Sequence, residues 1–322
     1  MVRVWRSSGR KAHTKMAKMP RYIGHIICAM WFLLCLTSAW VTDFELVTST
    51  GDLQRLLSAP PSLSARSLLR DHVLLHNALG VSLHTPLHPG GSVVQPDAVQ
   101  RELRRVNASR VLELGYGKGF NVLRLASSSP NVTFVAVGGD DEAAKRAASR
   151  ARLRTLGNVE FRAADMASLS CADPFDAVFS IESLPFTDPA TLLSLLRRCV
   201  RPGGVMVLVD AFTADGVAES AGEARTALRL VEAGFGTRVM PSVSHWRSFA
   251  PLHGFSVGRS WDWTSRALPF WDTGAWASRK AMFAYSWLPS VTQGHVVASV
   301  MAPHALRGGA ATYGGMVLHR EL

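Results

Sequence analysis

From Arg110 onward the chain alternates between short unbroken apolar runs and longer stretches in which apolar residues recur every three or four positions. The first kind suits strands buried on both faces, the second amphipathic helices packed against them. Val111-Leu112-Glu113-Leu114 predicts a strand, and the following FNVLRLA predicts a helix. Val132 to Val137 predicts a second strand and DDEAAKRAASRARLRTL its helix, with acids in the first turn and bases later, as the helix dipole favours. Val159 to Arg162 and Phe175 to Ser180 predict strands three and four. The helix TLLSLLRRCV follows, stopped by Arg201-Pro202-Gly203-Gly204 ahead of a fifth buried strand, Val205 to Val209. Strands and helices in alternation predict a doubly wound α/β fold around a mostly parallel sheet.

Upstream the pattern is different. Ile23 to Val41 is a mostly apolar run of nineteen residues without an acid, Lys or Arg, near the lower length for crossing a bilayer. Arg3, Arg6, Arg10, Lys11, Lys15, Lys18 and Arg21 precede it, and no acid occurs before Asp43. Residues 1–42 are therefore expected to target the chain to a membrane or anchor it there, either as a retained signal anchor or as a cleaved signal peptide with Thr37-Ser38-Ala39 at the cleavage region. The expected location is membrane-associated or organelle-targeted, in the endoplasmic reticulum or a plastid, since LSAPPSLSARSLLR (57–70) resembles a transit segment. Residues 43–71 are expected to be a linker, and 72–322 the catalytic domain. The tripeptides Asn107-Ala-Ser and Asn131-Val-Thr have the form of glycosylation acceptors but are short enough to arise by chance, and are taken as incidental.

The formal charge of +11 over 322 residues changes the picture little once those seven leading cations are set aside. The remainder is mildly basic and has no Lys/Arg stripe interleaved with aromatics, so no nucleic-acid partner is expected. Cys171 and Cys199 stand isolated, with neither a CxxC nor a metal-ligand spacing, and neither a disulfide framework nor a metal site is indicated.

The chemistry begins where the first strand runs into Gly115-Tyr116-Gly117-Lys118-Gly119. Glycines at alternate positions permit positive φ and let a ligand approach the backbone, and the helix that follows offers unpaired N–H groups. A dinucleotide fingerprint would want glycine in place of Phe120, so GxGxG points to a nucleotide-like ligand other than a nicotinamide.

The set ELGYGKG, AADM, FDAVFSIESL and RPGGVMVLVD resembles the successive signatures of class I S-adenosylmethionine-dependent methyltransferases, over roughly residues 72–320. The resemblance implies a seven-stranded Rossmann-like sheet whose antiparallel last strand, Thr312 to Leu318, lies at the edge. It implies S-adenosyl-L-methionine as cofactor, with Gly115, Gly117 and Gly119 under its methionine and ribose, Glu113 fixing the turn or holding water to the amino-acid end, Asp165 and Met166 at the adenine, and Ser180 and Ile181 bordering the methionine. An acid usually ends the second strand to hold the ribose hydroxyls. Here Gly138-Gly139 stands in its place, and Asp140 either reaches the ribose or merely begins the next helix.

Within the family, LLRDHVLLHNALGVSLHTPLHPGG and MPSVSHWRSFAPLHGFSVGRSWDWTSRALPFW are similar to the sterol and tocopherol (prenylquinol) branch. That likeness implies a small lipophilic acceptor under an aromatic cover at about 240–290, where six of the nine tryptophans lie. Methyl transfer from a sulfonium is an in-line displacement that needs alignment and exclusion of water rather than a metal. His84, Glu182 and His245 are the candidate catalytic groups, as bases toward a hydroxyl or, for Glu182, as an anion beside a carbocation. A methyltransferase acting on protein or RNA, or a catalytically silent member of the fold, are the alternatives.

Overall fold

The computed structural model describes residues 94–165, 169, 171–184, 188–217, 222–237, 241–281, 287 and 290–322. The leader, the linker, His84 and Met166 lie outside the described residues.

The first described helix, α1 (Val94–Arg105), buries Gln95, Ala98, Val99 and Glu102, the spacing that places side chains on one helical face. Then come β1 (Arg110–Leu114), α2 (Phe120–Ser128), β2 (Thr133–Val137), α3 (Asp141–Leu153), β3 (Val159–Arg162) and β4 (Phe175–Ile181). The chain continues through α4 (Pro189–Cys199), β5 (Val200–Thr213), α5 (Glu223–Phe235), α6 (Val243–Phe249), β6 (Phe255–Asp262), α7 (Thr264–Ala281), α8 (Ser290–Arg307) and β7 (Ala311–Arg320). Every strand and helix expected from the pattern is present, with ends shifted by a few residues.

The seven strands form one sheet in the order β3-β2-β1-β4-β5-β7-β6. Strands β1 to β5 pair in parallel, and β7 is antiparallel to both β5 and β6. The last strand is thus not at the edge, as the resemblance implied, but inserted between β5 and β6, and β6 is the edge. Burial explains the arrangement: Tyr313 to Leu318 are all buried, whereas β6 alternates and exposes Ser256 and Gly258 to Ser260.

Alternation along the strands sorts the core into two layers. Val111, Phe134, Phe179, Ile181, Val207 and Tyr313 face one side with α1, α2 and α3. Leu112, Val135, Val178, Leu208 and Met316 face the other, with α4 and the fully buried Trp246 of α6. Each large apolar side chain so buried contributes roughly 1.5–3 kcal/mol. The connection between β6 and β7 holds the helices α7 and α8, and α8 packs on α5 and α7. Because β5 and β6 both end where β7 begins, this helical group stands at the carboxyl end of the parallel strands.

The opposite end is cross-linked. Cys171, ahead of β4, and Cys199, the last residue of α4, form a disulfide with 5.1 Å between Cα atoms. This corrects the sequence expectation: residues 28 apart in the chain meet because β4 and β5 start side by side, Phe175 opposite Val200. Asp176 ties the same end, accepting from the Ser109 and Arg110 amides at 2.7 and 2.8 Å and from Arg201 Nε at 2.6 Å. Among the described residues no helix is long and apolar enough to cross a membrane, and no group of three or more acids, His or Cys is placed to hold a metal.

Candidate active site

The turn after β1 has the conformation its glycines predict, with φ of +79° at Gly115, +52° at Gly117 and +79° at Gly119. Gly115 donates its N–H to Val137 O at 2.8 Å, and a side chain there would lie 2.3 Å from Ser183 Cβ. Gly117 differs: a Cβ on it would meet nothing within 4 Å, so the turn opens there onto free space. Gly119 caps the N-terminus of α2, whose first-turn amides point toward the same loop.

Glu113 lies beside this opening. It is buried, neither carboxylate oxygen has a hydrogen-bond partner of good geometry, and burial pushes its pKa up to about 8, with the Asn121 side chain and the Val122 amide pulling the other way. Ser180 Oγ, at the end of β4, is likewise buried and unpartnered, and Ile181 next to it is fully buried.

At the end of β2, Gly138-Gly139 leaves room for Tyr116. A Cβ on Gly138 would lie 3.2 Å from Gly115 Cα, and one on Gly139 3.1 Å from Ala143 Cβ and 3.3 Å from the Tyr116 hydroxyl, so a side chain at either position would press on its neighbours and also strain a backbone with φ of +140° and +70°. Tyr116 packs edge-on to Phe161, and its hydroxyl is buried. Asp140 begins the helix: its Oδ1 accepts from the Ala143 amide at 2.7 Å as the N-cap of α3. Asp165 is exposed beyond β3.

A buried polar cluster lies at the carboxyl ends of β4 and β5. Glu182 follows β4 with φ of +51° and donates its N–H to Val209 O at 2.8 Å. From β7, the Tyr313 hydroxyl donates to Glu182 Oε1 at 2.6 Å and accepts from Gln95 Nε2 of α1 at 3.1 Å. Asp210 of β5 is buried, with the Ala211 amide donating to Oδ1 at 2.8 Å and Oδ2 lacking a hydrogen-bond partner of good geometry. Burial and the charge of Glu182 push Asp210 up to about 8, against the backbone amides of Ala211, Leu184 and Ser183. Burial and Glu182 likewise raise the Tyr313 phenol well above its usual range. Asp210 therefore holds its proton near neutrality, and the tyrosine stays protonated as a donor.

Of the two expected catalytic residues that are described, Glu182 stands in this cluster and His245 does not. His245 is exposed on α6 with its ring stacked on Phe249, and α6 packs on the opposite face of the sheet from Tyr313 and Gln95. Asp210, Tyr313 and Gln95 were not anticipated, although an acid closing the buried run VMVLV and a tyrosine in a glycine-rich strand were visible signals. Of the tryptophans, Trp246 is core, while Trp261 and Trp263 pack together at 5.7 Å near the start of α7. A cavity of about 230 Å³ lined by Arg110, Val135, Arg162 and Cys171 lies on the α4 face, away from the acids.

Residues 105–239 match the family described as Methyltransferase domain. Residues 105–239 thus carry a methyltransferase domain. Over 75 residues it is 35% identical to the release factor glutamine methyltransferase of Aliivibrio fischeri, covering 23% of this chain; the chain spans about a quarter (26%) of that relative's length. The fold is similar to that of a putative sarcosine dimethylglycine methyltransferase from Galdieria sulphuraria, with a TM-score of 0.62 and 17% identity over 79% of this chain and 97% of that one. It is also similar to geranyl diphosphate C-methyltransferase from Streptomyces coelicolor, whose structure holds geranyl diphosphate and S-adenosyl-L-homocysteine, with a TM-score of 0.56 and 17% identity over 80% of this chain and all (100%) of that one.

The methyltransferase turn fits the cofactor on its own geometry. The open side of Gly117 gives room for a close ligand, and the buried Glu113 carboxyl, held neutral by burial until a cation meets it, suits the ammonium of a methionine moiety, either directly or through water.

Proposed function

We propose that this chain transfers the methyl group of S-adenosylmethionine to a small lipophilic acceptor, a sterol, prenylquinol or similar compound, held between the carboxyl ends of β4 and β5 and the helical cover. The observation that carries this reading is the Glu182–Tyr313 hydrogen bond beside the buried Asp210, next to the glycine turn. Bound cofactor supplies an electrophilic methyl on a sulfonium. Gly115, Gly117, Gly119 and Glu113 would hold the cofactor's methionine and ribose portion, with Ser180 and Ile181 along its methionine side and Asp165 toward the adenine. Glu182 stands on the acceptor side.

Tyr313 fixes the Glu182 carboxylate in one orientation. That carboxylate takes the proton released when an acceptor hydroxyl becomes an ether, or when a methylated carbon returns to an alkene. Burial keeps Asp210 protonated near neutrality, so it adds no charge of its own to the site. Trp263, with Trp261 and, from α7, Trp271 packed against the same core layer, makes the surroundings under the cover apolar, as a ring or isoprenoid chain requires. The geranyl diphosphate bound by the similar Streptomyces coelicolor enzyme supports a lipophilic substrate. In this reading residues 1–42 bring the domain to the membrane in which such an acceptor dissolves.

Calorimetric titration of the full chain with S-adenosylmethionine and S-adenosylhomocysteine, beside Gly117→Arg, tests the cofactor half. Micromolar binding lost in the variant is expected. Incubation with methyl-labelled cofactor and a panel of sterols and prenylquinols tests the acceptor half, label being expected in the organic extract. Label confined to protein or RNA would replace the lipid with a macromolecule, and a folded chain that binds no cofactor would make the domain a silent relative.

A further inference from the structure

The two sequons and the disulfide, set aside as incidental or unforeseen, lie at one end of the domain. Asn107 and Asn131 are both exposed, in the turns that lead into β1 and β2. The third residues of the two sequons are neighbours in the sheet: Arg110 pairs with Thr133, and the Thr133 amide donates to Ser109 O at 2.8 Å. This is the amino end of the parallel strands, where the Cys171–Cys199 disulfide also lies and from which Glu182, at the carboxyl end of β4, faces away. A glycan on either asparagine would project into solvent without approaching the turn or the acids.

Disulfides form and persist in oxidising compartments, and those of the secretory pathway are also where Asn-x-Ser/Thr is modified. We infer that the domain faces the lumen of the secretory pathway and carries N-linked glycans at Asn107 and Asn131 together with the closed Cys171–Cys199 bridge. In the glycan transfer the asparagine amide nitrogen attacks C1 of an oligosaccharide on a polyprenyl pyrophosphate. The C1–N bond forms, the C1–O bond breaks, the pyrophosphate leaves with the electron pair, and one amide proton goes to base. In bridge formation the two thiols give two electrons and two protons to a carrier disulfide, which leaves as a dithiol. The basic, apolar residues 1–42 are the entry signal this placement requires. The inference does not depend on the acceptor or on catalysis.

The test is expression of the full chain in cultured insect cells, followed by electrophoresis with and without peptide N-glycosidase and by mass spectrometry of the peptides. Two glycosidase-sensitive mobility steps are expected. Asn107→Gln and Asn131→Gln should each remove one, and Thr133→Ala, which leaves Asn131 in place, should remove the same step as Asn131→Gln. In denaturant, a maleimide reagent should label Cys171 and Cys199 only after reduction. A glycan at a single site still places the domain in the lumen and removes the other asparagine from the proposal. A chain whose mobility is unchanged by the glycosidase overturns the proposal whatever the state of its thiols.

Discussion

Tyr313 and Glu182 are 131 positions apart in sequence, yet the phenol donates to the carboxylate at 2.6 Å. Strand β7 delivers the tyrosine because it inserts between β5 and β6. If Glu182 receives the acceptor's proton, Tyr313→Phe should leave the fold intact and lower kcat/KM about tenfold to hundredfold, the effect of removing a hydrogen bond of 1.5–3 kcal/mol to a charged group. Cofactor affinity measured by calorimetry should be unchanged. Equal losses of cofactor affinity and turnover would instead show that Tyr313 supports the whole site.

Glu182 also sits in a backbone region that L-residues avoid, with φ of +51°. A non-glycine residue there costs about 1–2 kcal/mol, and strain of this kind collects at functional sites. Glu182→Gly and Glu182→Ala should both lose activity, since both remove the carboxylate. They should separate in stability: the glycine variant should exceed the alanine variant by about 1 kcal/mol in urea unfolding. Equal stability would mean that the turn relaxes when the carboxylate is removed.

The buried acids set a pH dependence with a definite sign. Glu113 is raised from 4.5 to about 8 and Asp210 from 3.8 to about 8, both chiefly by burial. Between those limits the folded chain binds more protons than the unfolded one, so stability falls as pH rises through the window. The cofactor-free protein should melt at a lower temperature at pH 8 than at pH 5, and Glu113→Gln or Asp210→Asn should each flatten that slope. Cofactor binding should be weakened only by Glu113→Gln. A slope unchanged in both variants would place the responsible groups elsewhere.

The fold was legible because each strand from β1 to β5 is a continuous apolar run between helix patterns, so burial on both faces is visible in composition alone. The glycine turn was legible for a related reason, since three alternating glycines after a strand are hard to reconcile with any other local structure. The position of β7 was not, because which neighbour an antiparallel strand joins is decided by packing rather than by local pattern. Tyr313 and Asp210 were invisible as partners of Glu182 for the same reason. Gly138-Gly139 looked like a missing ligand and acquires a backbone reason, φ of +140° and +70° with Tyr116 close by, only in the folded chain. The disulfide was missed because spacing along the chain says nothing about the adjacency of two strand starts.

That adjacency gives the bridge a measurable effect. Cys171 and Cys199 close a span of 28 residues that contains all of β4 and α4, and a loop of that length corresponds to about 3.5 kcal/mol of lost unfolded-state entropy in the chain-entropy account. Cys171→Ala with Cys199→Ala should lower the unfolding free energy by roughly that amount, and reductant should destabilise the wild-type chain but not the variant. Asp176 holds the same end by hydrogen bonds: burial raises its pKa, but the Ser109 and Arg110 amides, the Ser109 hydroxyl and Arg201 more than offset this and bring it down to about 2. Its contribution, about 2 kcal/mol by linkage, is complete above pH 4 to 5 and is lost as pH falls toward 2. The reduced chain should therefore depend more visibly on Asp176, and acid unfolding of the variant should begin at higher pH than in the wild type. An acid midpoint identical in the two would mean that the bridge and the carboxylate secure different cooperative units.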